Sequence, residues 1–148
     1  IRCSDIMSTD LITVTPDTPL FLAWQLLRKH KIGSLPVIDN TQQLQGIIST
    51  VDILKHLQVP SYAGLLKQLN GLFLQRHYKQ QRKLTVADRM SANLITVLPD
   101  EHLVALVPLL SDKGLHHIPV TSAEGKLLGM VTQSDVIAAL FNRQLNHA

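Results

Sequence analysis

The sequence predicts a mixed α/β (α+β) fold made of two β-α-β-β-α repeats that pack about a pseudo-two-fold axis. Three observations support this prediction. The two halves of the 148-residue chain align without a gap at an offset of 83 positions, the separation of Asp52 and Asp135. Both halves alternate short β-branched runs with apolar residues at helical spacing. A hydrophobic content of 45% with 17% charged residues indicates wide buried faces.

Each repeat contains the same predicted elements in the same order. In the first repeat they are a leading turn (5–8), a strand (11–14), a helix (from 19), two strands (35–38 and 44–49) and a second helix (from 52). Asp17 or Thr18 is predicted to cap the first helix, which begins near Pro19. In the second repeat, Pro108 should kink the equivalent helix or mark a late start.

The repeats divide the chain into three parts. Residues 1–58 form the first repeat, residues 59–84 a helical and basic linker, and residues 85–148 the second repeat. The basic run that ends the linker, from Arg76 to Lys83, is either a solvated surface or a docking site for an anionic partner or a membrane surface.

Bulk properties exclude several classes of function. A net charge of +3 is too small to imply nucleic-acid binding. The single cysteine, Cys3, permits no internal disulfide and favours a reducing, cytoplasmic location. The chain lacks a nucleophilic Cys/His pair, a metal-ligand cluster and a phosphate-cradling glycine loop with lysine, so we expect neither an enzyme nor a required cofactor or metal. Because it starts with Ile1, we expect it to be part of a longer protein.

One motif, Gly-x-x-[Ser/Thr]-x-x-Asp, occurs as GIISTVD and as GMVTQSD. Asp52 and Asp135 lie where a strand ends and a helix begins, and a carboxylate there can accept both hydroxyls of a ribose. Ser49 and Thr132, three residues earlier, can donate to a phosphate, as can the free N–H groups of the following helix. The alternative is that each aspartate only caps its helix.

These features resemble the CBS domain, and the pair resembles a Bateman module. The resemblance rests on the Met-Ser turn, the Ile-Thr-Val run before Pro-Asp, the Leu-Pro-Val strand and the glycine–aspartate motif, in order. It implies two clefts between the repeats that bind adenine nucleotides or related adenosyl compounds such as S-adenosylmethionine. It also implies a disc-shaped homodimer that senses a ligand and controls an attached or partner effector domain. The alternative within the family is a ligand-free dimerisation and interaction module.

The expected cleft residues come from both repeats. By the resemblance, the base slot of one copy faces the Ser/Thr-x-x-Asp of the other copy. The candidate ligand-binding residues are Met7, Ile12, Ile32, Gly33, Ser34, Ser49, Asp52, Met90, Ile95, Leu115, His116, His117, Thr132 and Asp135. Where the first copy has Gly33-Ser34, the second has His116-His117, which adds a pH-dependent charge near a phosphate or a ring that stacks on a base. Because lysine and arginine are sparse near the motifs, AMP is expected rather than ATP.

A narrower similarity concerns the segments HHIPV, GMVTQSDVIAALF and LVPLLSDKG and the long linker. They are similar to the cytosolic tail of HPP-family membrane proteins. This similarity implies an attached transmembrane block, a place at the cytosolic face of an inner membrane, and a role in regulating transport.

Overall fold

A computed structural model describes residues 1–57 and 84–146. The predicted linker helix and basic run at residues 59–83 lie outside the described residues. The helices and strands are α1 (Cys3–Ile6), α2 (Leu20–His30), β1 (Ser34–Ile38), β2 (Leu44–Ser49), α3 (Thr50–Leu57), α4 (Val107–Ser111), β3 (His117–Thr121), β4 (Leu127–Thr132) and α5 (Gln133–Asn146). Short 3₁₀ helices cover Val86–Asp88 and Leu103–Leu106. Among the described helices, none combines the length and apolar character needed to span a bilayer.

The chain forms two compact units, and each unit combines parts of both repeats. Unit 1 contains Ile1–Leu11, Thr41–Leu44 and Ile95–Ala148, and unit 2 contains Ile12–Asn40 and Gln45–Leu94. The leading segment of each repeat therefore belongs to the unit that the other repeat builds. The order of elements confirms the predicted fold class.

Each unit contains one two-stranded sheet, β1–β2 or β3–β4. In β3–β4 the strands are antiparallel, with His117 opposite Thr132 and an irregularity between Val120 and Thr121. The strands predicted at residues 35–38 and 44–49 are confirmed, since β1 and β2 lie there.

The predicted strand at residues 11–14 is wrong, because it is reduced to a single parallel bridge between Val14 and Val37. The Val14 N–H donates to the Pro36 carbonyl at 3.0 Å, and the pairing then stops. At the next residue the Thr15 N–H donates to Thr18 Oγ1 at 3.0 Å, so a local turn takes the chain away from the strand.

The predicted cap of α2 is also wrong. Its N-cap residue is Pro19, which makes no side-chain hydrogen bond to the helix. The Leu20 N–H donates instead to the carbonyl of Leu84 at 2.8 Å, a backbone group distant in sequence. The late helix start at Pro108 is confirmed, since α4 begins at Val107 after the 3₁₀ helix Leu103–Leu106.

Each unit has its own apolar core. The buried cores are Cys3, Val97, Leu103, Leu106, Leu110, Ile118, Val120, Val131 and Val136 in unit 1, and Val14, Leu20, Ala23, Leu27, Leu35, Val37, Ile48, Ile53 and Val86 in unit 2. Cys3 and Val86 occupy equivalent positions of the two repeats, and both are 0% exposed. Each leading segment thus contributes a fully buried side chain to its unit, and full burial of a valine such as Val86 stabilises the fold by about 1.5–3 kcal/mol.

The leading segments also pack directly against two glycines. Ser8 and Met130 exchange two backbone hydrogen bonds of 2.9 and 3.0 Å, next to Gly129 of β4. A Cβ atom on Gly129 would lie 2.7 Å from Met7 Sδ and 2.9 Å from the Ser8 carbonyl oxygen. In unit 2, a Cβ on Gly46 would lie 2.7 Å from the Ser91 carbonyl oxygen. The glycine of the repeated motif is therefore required by close backbone approach.

We expect Gly129→Ala to lower the free energy of unfolding by about 1–3 kcal/mol, because the leading backbone must move away from β4. Urea unfolding followed by circular dichroism measures this loss. Leu128→Ala is the matched control, since Leu128 lies on the same strand and is 39% exposed. Wild-type stability in Gly129→Ala would show that the close approach is unimportant.

Candidate functional site

The residues of the repeated motif lie at two junctions between a strand and a helix. Ser49 ends β2, and Asp52 lies in the first turn of α3. Thr132 ends β4, and Asp135 lies in the first turn of α5. The spacing of three residues places a hydroxyl and a carboxylate together at the start of each helix.

In the first copy, Ser49 and Asp52 bond to each other reciprocally. The Asp52 N–H donates to Ser49 Oγ at 3.2 Å, and the Ser49 N–H donates to Asp52 Oδ2 at 2.9 Å. The Ser49 hydroxyl also donates to Asp52 Oδ2, at 2.9 Å. The hydroxyl proton of Ser49 is therefore used within the junction.

In the second copy, the Asp135 N–H donates to Thr132 Oγ1 at 3.1 Å, and the Thr132 N–H donates to Asp135 Oδ2 at 3.1 Å. Within residues 1–57 and 84–146, the Thr132 hydroxyl makes no bond to Asp135, which leaves its proton for another acceptor. Each aspartate thus takes part in a reciprocal cap: the hydroxyl accepts the aspartate N–H, and the carboxylate accepts the N–H of the residue that carries the hydroxyl.

Capping does not consume the whole carboxylate. Both caps use Oδ2, and no hydrogen bond from a described residue reaches Oδ1 of Asp52 or Asp135. Both side chains are half-buried, so water and small molecules reach them. Each junction therefore offers a fixed carboxylate oxygen that can accept a hydrogen bond from a ribose hydroxyl.

Sequence reasoning missed Thr50 and Gln133, which fix the chain that precedes β1 and β3. The Thr50 N–H and hydroxyl donate to the Gly33 carbonyl at 3.0 and 3.3 Å. The Gln133 N–H donates to the His116 carbonyl at 3.0 Å. The sequence did contain one signal for this role: Thr50 and Gln133 lie 83 residues apart, at the same position of the two repeats. Their side chains differ, however, so the residue types alone do not indicate a shared contact.

The other predicted residues divide between the two units. Unit 2 contains Ile12, Ile32, Gly33, Ser34, Ser49, Asp52 and Met90, and unit 1 contains Met7, Ile95, Leu115, His116, His117, Thr132 and Asp135. Ile12 and Met90 pack against the core of unit 2, and Met7 and Leu115 against that of unit 1. Ile32 is 37% exposed, and Ile95 is half-buried. Contact of these residues with a ligand stays a prediction.

The two histidines lie in different surroundings. His116 is exposed, whereas His117 is half-buried at the start of β3. Burial, and secondarily the neighbouring His116, lower the pKa of His117, and Asp135 partly opposes this effect. Among the described residues, no cluster of three or more His, Cys, Asp or Glu could hold a metal ion.

The CBS domain family matches two segments of the chain, residues 3–59 and 86–142. The chain therefore belongs to the CBS domain family, and it carries the domain as a tandem pair. It is 31% identical over 150 residues to protein MJ1426 of Methanocaldococcus jannaschii, covering 92% of this chain and 89% of that one. It is 32% identical over 141 residues to the SNF1-related protein kinase regulatory subunit gamma-1 of Arabidopsis thaliana, covering 91% of this chain and 33% of that protein.

Solved structures of CBS pairs share the fold. The structure of CBSX2 in complex with AMP has a TM-score of 0.76 and 28% identity, covering 97% of this chain and 98% of that one. The CBS pair of MJ0100 in complex with 5′-methylthioadenosine and S-adenosylmethionine has a TM-score of 0.72 and 26% identity, covering 97% and 98%. The CBS domain of a membrane protein from Sphaerobacter thermophilus has a TM-score of 0.77 and 26% identity, covering 93% and 86%.

We expect Asp135→Ala to lower the free energy of unfolding of the ligand-free protein by about 1 kcal/mol, because the Thr132 N–H loses its carboxylate acceptor and the first turn of α5 loses a negative charge. Ser134→Ala, at an exposed neighbouring position, controls for the substitution itself. Urea unfolding of the three proteins measures the difference. Equal stability of Asp135→Ala and Ser134→Ala would contradict a capping role.

Proposed function

We propose that the chain is a regulatory module that binds adenosine-type ligands. The observation that carries the proposal is the duplicated junction, where hydrogen bonds to Oδ2 orient Asp52 and Asp135 and, among the described residues, leave Oδ1 of each carboxylate for a ligand. Two solved CBS pairs with this fold contain such ligands. CBSX2, at 28% identity, is in complex with AMP, and the pair of MJ0100, at 26% identity, is in complex with 5′-methylthioadenosine and S-adenosylmethionine.

The chemistry of the junction suits the nucleoside part of such a ligand. A ribose hydroxyl donates to Oδ1 of the aspartate, since that oxygen is already oriented by the cap. The positive end of the helix dipole at the start of α3 and α5 favours a single phosphate, although the first and third N–H of each helix already have acceptors. A triphosphate would need more cationic side chains, so AMP is the favoured nucleotide.

Ligand occupancy would then control an attached domain. Support comes from a related kinase regulatory subunit and from a structurally similar CBS domain of a membrane protein. The segments that are similar to HPP-family proteins suggest which domain is attached. On this proposal the module lies on the cytosolic face of a membrane and regulates transport by an attached transmembrane block.

A thermal-shift screen tests ligand binding with AMP, ADP, ATP and S-adenosylmethionine. We expect a ligand at 100 times its Kd to stabilise the protein by about 2.7 kcal/mol and to raise the Tm by several degrees. Asp52→Asn and Asp135→Asn retain an acceptor oxygen for the cap but lose the negative charge, so the Tm shift should fall in at least one of them.

Asp100→Asn is the control, because Asp100 is exposed and lies outside both motifs. A wild-type protein whose Tm responds to none of the four ligands would refute the sensor and favour the ligand-free dimerisation module.

We also propose that the module forms a homodimer through exposed apolar helix faces. On α5, Ile137 and Phe141 are 49% and 61% exposed and lie four residues apart on one face. On α3, Val51 and Leu54 are 55% and 51% exposed and lie three residues apart. A second copy of the chain presents the same faces, which suits a symmetric interface.

We expect Phe141→Glu to weaken dimerisation at least about tenfold, because a charge would enter an apolar contact. Sedimentation equilibrium measures the dimer dissociation constant. Asn142→Glu adds the same charge at an exposed position on another face of α5 and should leave dimerisation unchanged. A monomeric wild-type protein, or equal dissociation constants for the two variants, would exclude this surface.

A further inference from the structure

Aromatic and basic side chains share one face of α2. A row along this face begins at Phe21 and continues three, four and seven residues later with Trp24, Gln25 and Arg28. Phe21 and Trp24 are half-buried, whereas Gln25 and Arg28 are exposed. The row thus combines partly buried rings with polar groups that reach the solvent.

Ring contacts fix the orientation of Arg28. The ring centroids of Phe21 and Trp24 lie 5.8 Å apart, with an interplanar angle of 37°. The guanidinium carbon of Arg28 lies 5.5 Å from the centroid of the Trp24 ring, within the range of a cation–π contact. A guanidinium that rests on an aromatic ring keeps N–H donors that can bind a carboxylate in a fixed geometry.

A cavity of about 460 Å³ opens beside these groups. In the described part of the chain it is lined by Trp24, Gln25, Arg28 and Lys29. The lining offers an aromatic ring, an amide and two positive charges. Within residues 1–57 and 84–146, no carboxylate pairs with Arg28 or Lys29. The cavity is therefore a positively charged depression whose cations can accept an external anion.

The second repeat shows that the fold does not require this combination. The equivalent positions, 83 residues further on, carry neither an aromatic ring nor a cation: Val107, Pro108, Ser111 and Asp112. The helix dipole favours Arg28 and Lys29 in the last turn of α2, but α4 ends without a basic residue in its last turn. The dipole also does not explain the aromatic ring against which Arg28 packs.

We propose that this face of α2 docks an acidic segment of a partner protein. One carboxylate of the segment binds the oriented guanidinium of Arg28, and a second carboxylate pairs with Lys29. An apolar side chain of the segment enters the cavity and packs against the Trp24 ring. The inference does not depend on ligand binding at the junctions, and it adds a contact surface to the regulatory module.

The geometry favours a peptide over an anionic membrane. Membrane-bound faces insert protruding aromatic rings at the lipid interface. Trp24, in contrast, is half-buried and has a charged group against its ring. A planar lipid surface would also leave a depression of about 460 Å³ unfilled, whereas a single side chain of a peptide can enter it.

A display library of random dodecapeptides tests the inference on the wild-type protein. We expect the enriched peptides to carry a net negative charge. They should bind Arg28→Gln/Lys29→Gln at least about tenfold more weakly, because two charge-assisted contacts are lost. Fluorescence anisotropy of labelled peptides measures the affinities at physiological ionic strength, where distant charges are screened. Lys55→Gln/Lys113→Gln removes the same charge at two other exposed positions and should leave the affinity unchanged.

Intrinsic fluorescence locates the bound peptide. Trp24 is the only tryptophan among the 148 residues, so its emission reports on this face of α2. A bound peptide should shield Trp24 from quenching by acrylamide. In Arg28→Gln/Lys29→Gln the same shielding should need about tenfold more peptide, in line with the loss of affinity.

Three results overturn the inference. They are enriched peptides without a net negative charge, equal affinity of acidic peptides for Arg28→Gln/Lys29→Gln and the wild-type protein, and a library that yields no peptide able to shield Trp24. In the last case, binding to phosphatidylserine vesicles that the double variant loses would assign the face to a membrane, and dimerisation that it loses would assign the face to a second copy. An unchanged Tm shift with AMP in the double variant shows that it folds and separates this test from that of the proposed function.

Discussion

The close approach of each leading segment to one strand is the constraint on which the remaining structure depends. Beside Gly46 and Gly129 the backbone of the other repeat lies so near that a Cβ atom would meet a carbonyl oxygen at 2.7 or 2.9 Å. The approach places Cys3 and Val86 in the two cores. It also explains why each compact unit combines parts of both repeats, since neither core is complete without the leading segment of the other. The duplication thus supplies a missing part of each core as well as a second copy of the fold.

The repeated motif combines this packing requirement with a helix start. Its glycine permits the leading segment to approach, and its hydroxyl and carboxylate together cap the helix that begins at the residue after the hydroxyl. Most of the motif is therefore explained by stability alone. Within residues 1–57 and 84–146, what remains for a ligand is Oδ1 of each carboxylate and, in the second copy, the proton of the Thr132 hydroxyl. A recurring motif consequently identifies the fold more reliably than it identifies a binding site, because a cap would recur with the fold even if nothing were bound.

Local sequence signals predicted the hairpins and failed where distant backbone decides the outcome. Alternating apolar runs located β1 and β2 correctly. The cap of α2 was mispredicted because Leu84, far along the chain, supplies the acceptor that a local side chain was expected to provide. The strand at residues 11–14 was mispredicted because the turn at Thr15 competes with it. Thr50 and Gln133 were missed since they act mainly through the backbone N–H, which every residue except proline carries. For the site, the sequence predicted the motif residues, but it could not show which of their atoms the caps use.

The caps also explain how the two junctions could acquire different chemistry on one backbone. The bonds that fix each junction run from the first helical N–H to the carbonyl of Gly33 or His116, and from the motif residues to each other. None of these bonds uses the side chains of Gly33, Ser34, His116 or His117. Those positions can therefore change with little effect on the helix start, whereas a change at Asp52 or Asp135 disturbs both the cap and the ligand oxygen. A duplicated fold with such junctions can keep the same hydrogen-bonded helix start in both repeats while the side chains beside it, and their charge, differ. In this chain the second junction carries His116 and His117 where the first carries Gly33 and Ser34, so the same hydrogen-bonded helix start stands beside two imidazoles in one unit and beside none at the equivalent positions of the other.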